Sequence, residues 1–192
     1  MRKPCIIHET STGVRLYGLP DVMLANRELE LSGPVNSETA GELISAILYL
    51  ARQDPEEEIT LYINSPGGEV SSGLALYDVM KAVPCPIHTV CLSAASMAAV
   101  LFAAGDRRDI LPHGRVLIHD PSSNIGGSIA QIGSVFADLL ETRETLAKLL
   151  VKHTKKSAEE IHEAMAAETS FYGERAVSFG LADRVLEAGD LI

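Results

Sequence analysis

Residues 87–105 read IHTVCLSAASMAAVLFAAG and combine the features from which the fold is predicted. The first part, IHTVCL, is apolar and rich in Val, Ile and Thr, which indicates a buried β-strand. Small residues follow, and the final VLFAAG predicts a short helix. A serine stands at the joint, in the pattern Ala94-x-Ser96-x-Ala98. This spacing is that of a nucleophile elbow, with alanine where that motif has glycine.

The physical reason for the pattern is steric. A sharp strand-to-helix turn leaves no room for side chains two residues on either side of the serine, and it sets the hydroxyl near the positive end of the helix dipole. Ala/Ser-rich turns before buried helices are common, however. This stretch alone therefore leaves Ser96 open to two interpretations, a nucleophile or a packing residue.

Composition favours one ordered α/β domain with a sizeable core. The chain has 192 residues, of which 46% are hydrophobic and 5% aromatic. A net charge of −10 argues against nucleic acid or an anionic membrane as the main partner. Because we see no leader pattern and no apolar run near 18 residues, we expect a cytoplasmic protein outside membranes. The cysteines, Cys5, Cys85 and Cys91, lack metal-ligand spacing and are expected to be reduced.

Along the rest of the chain, predicted strands and helices alternate, which favours parallel βαβ units with right-handed crossovers. Residues 1–18 carry few core signals and are expected to form an arm that needs a partner for order, before a single domain over residues 19–192. The remaining predicted elements are a helix over 37–53, a strand over 59–63, a helix from 70, short strands over 107–111 and 115–118, a long helix over 129–153, a helix capped by Ser157, and a closing helix and strand over 176–181 and 182–186.

The helix over residues 129–153 is predicted to be unusually long and to carry one apolar stripe. About 24 residues at a rise of 1.5 Å give roughly 36 Å, which is longer than a small domain needs. The stripe therefore packs either on its own domain or against another subunit.

A serine nucleophile needs a base and donors for the oxyanion, and candidates for both are present. Among six histidines, His119 ends the predicted strand RVLI and enters a proline turn, where catalytic groups collect in parallel-sheet proteins. Gly67 and Gly68 lie between a strand and a helix and allow backbone N–H groups to point into a site. Met97, directly after the serine, is expected to supply the second donor. A strand-end histidine and a plain βα turn are the ordinary structural alternatives.

Together, YINSPGG (62–68), AASM (94–97) and RVLIHDP (115–121) resemble the ClpP family, the proteolytic subunits of the Clp protease. The resemblance covers nearly the whole chain and includes the long helix and the closing AVSFGLAD (176–183). It implies an α/β fold of the ClpP/crotonase type, with the long helix protruding as a handle.

The resemblance also implies roles for individual residues. Ser96 is the nucleophile, His119 the general base, and the N–H groups of Gly68 and Met97 the oxyanion hole. The segment Gly126–Gly127 then binds the peptide substrate by main-chain hydrogen bonds, as in strand addition. In the family, Tyr62 belongs to a groove that docks an AAA+ Clp unfoldase, which uses ATP; this chain itself would need no cofactor and no metal.

The chain departs from the family pattern at the third triad position. The family has an aspartate there, and the matching residue is Glu168, one methylene longer. We expect Glu168 to orient His119, with Asp120 and Asp183 as lower-ranked substitutes.

Further departures concern assembly and docking. The family forms a heptameric ring, and two rings can stack as a tetradecamer. The acid–arginine pair that joins the rings is replaced by Ala166 and Ala167, which puts the stacking in question. Thr60 stands at an aromatic position beside Tyr62, so docking of the unfoldase is expected to differ. Leu92 and Ser93 replace a family Gly-Gln before the serine motif.

The predicted function is hydrolysis of peptide bonds of unfolded proteins inside a ring chamber, through an acyl-enzyme. One alternative is an inactive or weakly active ring subunit that works with a paralogue, which the changes at the third triad position and ring contacts motivate. A crotonase-like enzyme acting on acyl-CoA is a more distant alternative, because it would not require Ser96 and His119 together.

Overall fold

The computed structural model describes residues 5–10 and 13–191. In chain order the elements are β1 (Cys5–Thr10), β2 (Gly13–Gly18), α1 (Leu19–Ala25), β3 (Glu28–Ser32), α2 (Ser37–Gln53), β4 (Ile59–Ser65), α3 (Val70–Ala82), β5 (Ile87–Ala95), α4 (Met97–Ala103), β6 (Arg107–Ile118), α5 (Ile129–Thr154), α6 (Ala158–Ala166), β7 (Thr169–Tyr172), α7 (Glu174–Phe179) and β8 (Arg184–Val185).

A six-stranded sheet in the order β3-β4-β5-β6-β7, with β8 paired to β6, organises the domain. Strands β3 to β6 are parallel, and a helix connects each one to the next. Their carboxyl ends meet at one edge, where Ser65 lies opposite Ala94, and Ala95 lies opposite Leu117. Loops that leave this edge are therefore neighbours in space although they are far apart in sequence. The α/β fold class predicted from the sequence is confirmed.

The stretch from which the fold was predicted forms the centre of the core. Residues Ile87 to Cys91 of β5 are buried, and every residue of α4 is buried as well. A helix that is apolar on all sides needs neighbours on all sides. Elements β4, β5, β6, α3 and α5 supply them.

Strand β6 differs from the two short strands that were predicted around residues 111–115. The strand is continuous, but its register against β5 jumps from Ile110 to Arg115 while β5 advances by only two residues. The amino-terminal half of β6 pairs with β8 and the carboxyl-terminal half with β7, so both halves are held by strands from the end of the chain. Local sequence contains no signal for such distant pairing.

Helix α5 spans 26 residues, close to the predicted range. Its carboxyl-terminal half is anchored in the core by Leu146, Ala147 and Leu150. The other half leaves apolar side chains uncovered, with Ile129 92% and Phe136 57% exposed. One copy of the chain therefore does not bury the whole stripe.

Near the amino terminus, β1 and β2 form a two-stranded sheet that the sequence analysis did not predict. Strands β1 and β2 pair antiparallel, and their apolar side chains at Ile7, Val14 and Leu16 are more than 60% exposed, at 64%, 63% and 67%. Residues 1–4 and 11–12 of the predicted arm, and residue 192 of the predicted domain, lie outside the described residues. Among the helices that are described, none combines the length and apolarity needed to cross a membrane.

Arg27 is a buried cation that ties α2 to β4. Its side chain donates to the carbonyl oxygens of Leu50, Asp54, Glu57 and Glu58 at 2.7–3.2 Å. The residue is only 7% exposed. Because carbonyl groups at a helix end lack partners within the helix, the guanidinium satisfies acceptors that burial would otherwise leave unpaired.

We expect Arg27→Met to destabilise the fold by about 3 kcal/mol, because the buried carbonyl groups lose their donors. The apparent melting temperature of the purified protein measures this change. Arg52→Met, at an exposed position in α2, is the matched control and should change stability by less than about 0.5 kcal/mol. Equal small effects of the two substitutions would contradict this role of the guanidinium.

Candidate active site

Ser96 occupies a strained turn between β5 and α4. Its φ of 57° and ψ of −126° lie in a region that residues other than glycine seldom adopt. Such a conformation costs about 1–3 kcal/mol and persists only where the surroundings hold it. Here the Ser96 N–H donates to the carbonyl oxygen of Leu117 on β6 at 2.9 Å. The strand-to-helix turn predicted from the small residues is present, and it leaves the serine half-buried at the edge of the sheet.

His119 follows β6 directly and lies beside this turn. Ala95 and Leu117 are register partners, so Ser96 and His119 leave neighbouring strands at the same edge. Both residues line a cavity of about 470 Å³, together with Gly68. The structure thus brings together three of the residues singled out from the sequence. Among the described residues, no hydrogen bond joins the Ser96 hydroxyl to the His119 ring.

Gly67 allows the loop after β4 to touch the serine turn. Its φ is +84°, and a Cβ there would collide with the carbonyl oxygen of Ala95 and lie 2.7 Å from the Cβ of Ser96. The Met97 nitrogen would be 3.0 Å away. A side chain at residue 67 would therefore push the two loops apart.

Gly68, the next residue, is pressed against the backbone of Val35. The Val35 N–H donates to the Gly67 carbonyl at 2.9 Å, and the Val35 carbonyl accepts from the Glu69 N–H at 2.8 Å. This clamp fixes the peptide that carries the Gly68 N–H. Within the described part of the chain, neither the Gly68 N–H nor the Met97 N–H has an acceptor.

Glu168 directly precedes β7, which pairs antiparallel with the end of β6. Strand β7 pairs Thr169 with Ile118, so Glu168 and His119 each lie one residue beyond the last pair of this register. Glu168 has a φ of 48°, and its N–H donates to the Met165 carbonyl at 3.1 Å. Its side chain is exposed, and across the described residues its carboxylate makes no hydrogen bond to His119.

The two substitute carboxylates are each bound to an arginine. Asp120 accepts from Nε of Arg143 at 2.8 Å. Asp183 accepts from the backbone and side chain of Arg108, near β8. Although burial acts in the opposite direction, these hydrogen bonds and the charge of Arg108 lower the pKa of Asp183.

The remaining predicted site residues lie elsewhere. Gly126 and Gly127 are in the exposed connection before α5, where no described strand pairs with them. The Tyr62 hydroxyl donates to Glu28 at 3.2 Å and borders a separate, smaller cavity with Thr60. Burial and the neighbouring Glu28 charge raise the pKa of Tyr62.

Comparison with models of known protein families identifies the family of this chain. The family model of the Clp protease matches residues 11–189, nearly the whole chain. The chain belongs to the Clp protease family. It is accordingly a serine peptidase of the ClpP kind, and the family resemblance stated from the sequence motifs is confirmed.

The cavity of this Clp protease also contains residues that the sequence analysis did not assign to a site. Its apolar wall is formed by residues of α3, α4, α5 and α6, namely Val70, Val100, Leu139, Leu146, Leu150 and Met165. The apolar stripe of α5 was the available signal, but a stripe does not distinguish a cavity wall from core or from a subunit contact.

Among the described residues, no cluster of three or more His, Cys, Asp or Glu could hold a metal ion.

For this Clp protease we expect Gly67→Ala to lower kcat/KM for a short fluorogenic peptide about 100-fold. The added Cβ would displace the Ser96 turn, and displacements near 1 Å have effects of this size. Gly41→Ala in α2, where a Cβ meets nothing within 4 Å, is the matched control and should leave the activity unchanged. Full activity of the Gly67→Ala protein would show that the loop contact does not set the geometry.

Proposed function

We propose that this protein is a serine endopeptidase that hydrolyses unfolded polypeptides inside a chamber built from rings of its own copies. The observation that carries the proposal is the strained Ser96 turn, which shares one cavity with His119 and with the peptide of Gly68. Strain is expected at a nucleophile whose hydroxyl must stand clear of its own backbone.

In the proposed reaction, the Ser96 Oγ attacks the carbonyl carbon of the scissile peptide while His119 accepts the hydroxyl proton. The negative charge that develops on the carbonyl oxygen is stabilised by the N–H groups of Gly68 and Met97. Both are free of acceptors among the described residues, and losing one such donor typically costs about 3 kcal/mol of barrier. His119 then gives the proton to the leaving amine, and a water molecule hydrolyses the acyl-enzyme in the reverse sequence.

Glu168 is the proposed orienter of His119. Glu168 and His119 each lie one residue beyond the paired Thr169 and Ile118, and Asp120 and Asp183 already bind arginines. A glutamate carboxylate that rotates inward from its exposed position would accept a hydrogen bond from the N–H of the other ring nitrogen and fix the tautomer. The missing Ser96–His119 hydrogen bond fits a site that aligns on substrate binding, since such bonds are often long in unliganded enzymes.

The substrate class follows from the walls of the cavity. Val70, Val100, Leu139 and Leu146 favour an apolar side chain next to the scissile bond. The unpaired backbone at Gly126–Gly127 is suited to hold the peptide by strand addition. An extended, unfolded segment satisfies both requirements, whereas a folded protein does not.

The uncovered stripe of α5 supports assembly. Large apolar side chains at Ile129, Ile132, Phe136 and Leu140 are 41–92% exposed in the single chain. A contiguous apolar face of this kind indicates a protein interface. We propose a heptameric ring, two of which stack as a tetradecamer through this helix, with an AAA+ unfoldase docking near Tyr62 in the cytoplasm. ATP would be used by that partner, and this chain would work without a cofactor.

We expect a fluorophosphonate probe to label the wild-type protein and to leave Ser96→Ala unlabelled, because only the activated hydroxyl attacks phosphorus. Intact-mass and peptide mass spectrometry locate the adduct. Ser93→Ala, three residues earlier in β5, is the matched control and should label like the wild type. Labelling at another serine, or none even when a paralogous ring subunit is added, would reject the proposed nucleophile.

We expect Glu168→Gln to lower kcat for a fluorogenic peptide by up to about 10⁴-fold, the loss seen where an orienting carboxylate is essential. Glu163→Gln, on the exposed face of α6, is the control and should retain full activity. If Glu168→Gln keeps the wild-type rate, Glu168 is not the orienter.

A further inference from the structure

Asp120, the residue directly after His119, is held from two directions. Its carboxylate accepts from Nε of Arg143 on α5 at 2.8 Å. Its backbone N–H donates to the Met165 carbonyl at the end of α6, at 3.2 Å. The turn that carries the candidate base is therefore tied to two helices.

The Met165 carbonyl also joins this turn to the candidate orienter. It accepts the N–H of Asp120 at 3.2 Å and the N–H of Glu168 at 3.1 Å. The N–H of Asp120, next to His119, and the N–H of Glu168 thus share one acceptor. A displacement of Asp120 would change the position of His119 relative to both Glu168 and Ser96.

Arg143 comes from the helix that forms one wall of the same cavity. Thr142, Leu139 and Leu146 of α5 line it, and Arg143 of the same helix binds Asp120 in the His119 turn. The Arg143–Asp120 ion pair therefore links α5 to the turn that carries the His119 imidazole.

Resting on the proposed function, we infer that Arg143 is a positioning residue for the reaction: through Asp120 it orients the turn that carries His119, so that the imidazole can come within proton-transfer distance of Ser96 when substrate binds. The pair is partly exposed, with side-chain exposures of 29% for Arg143 and 41% for Asp120. Pairs of this kind contribute little to global stability. Their effect on a base that must be placed within a few tenths of an ångström is much larger, because misplacement acts directly on the rate.

The inference is tested with a double-mutant cycle of Asp120→Asn, Arg143→Gln and the combined variant, in the full-length protein. Each variant should lower kcat for a fluorogenic peptide about 10- to 100-fold with KM changed less than about twofold. Because both substitutions break the same link, the combined variant should be no slower than either single one. The rate of fluorophosphonate labelling should fall in parallel, and melting temperatures should stay near that of the wild type.

Lys81→Gln is the matched control. The Lys81–Asp106 pair has the same 2.8 Å separation and similar exposures, 24% and 49%, but it lies at the amino-terminal end of the strands, away from His119. Its kcat should equal that of the wild type.

Three outcomes would overturn the inference. Wild-type kcat in Arg143→Gln would show that the Arg143–Asp120 ion pair does not position His119. A loss in Asp120→Asn far beyond that in Arg143→Gln would make Asp120 the orienter itself. If Lys81→Gln lowered kcat as much as Arg143→Gln, the loss of activity would reflect a general effect on stability. In each case normal labelling of wild-type Ser96 keeps the proposed function intact, whereas an unlabelled wild type removes the proposed function and this inference with it.

Discussion

The close contact between Gly67 and the Ser96 turn is the constraint on which the candidate site depends. Parallel register makes the loops after β4 and β5 neighbours, but register alone leaves room for side chains between them. With hydrogen in place of Cβ, the Gly67 peptide reaches the backbone of Ala95 and Met97. This approach brings the Gly67–Gly68 peptide close to the Met97 nitrogen, and the N–H groups of Gly68 and Met97 are the proposed oxyanion donors. The donors are backbone groups, so the fold rather than side-chain chemistry determines their direction.

A second glycine supports the turn from the helical side. A Cβ on Gly73 of α3 would overlap the Met97 side chain, which is completely buried. The absence of a side chain at Gly73 therefore leaves room for the Met97 side chain beside α3. Helix α4 is enclosed on every side, so the turn has little freedom to relax its backbone. The strained φ of Ser96 persists because its surroundings leave no alternative.

Much of the fold was predictable because its signals are local. The caps of α2 and α6, at Asn36 and Ser157, are set by residues within one turn of the helix. Ser96 and His119 were candidates because each stands where a strand ends. The continuity of β6 was not predictable, since it depends on β7 and β8, which lie more than 50 residues later in the chain. The link between Asp120 and Arg143 was missed for a similar reason. The two residues are 23 positions apart, and only the packing of α5 brings the carboxylate and the guanidinium together.

The backbone conformation of Ser96 has a consequence for how the protein can evolve. Glycine adopts this region without the penalty of about 1–3 kcal/mol that serine incurs, so the residue that best suits the turn is not the residue that carries the hydroxyl. A substitution of Ser96 by glycine would relieve this strain and stabilise the fold, but it would remove the hydroxyl. Retention of serine there is a trade-off that only selection for chemistry can maintain.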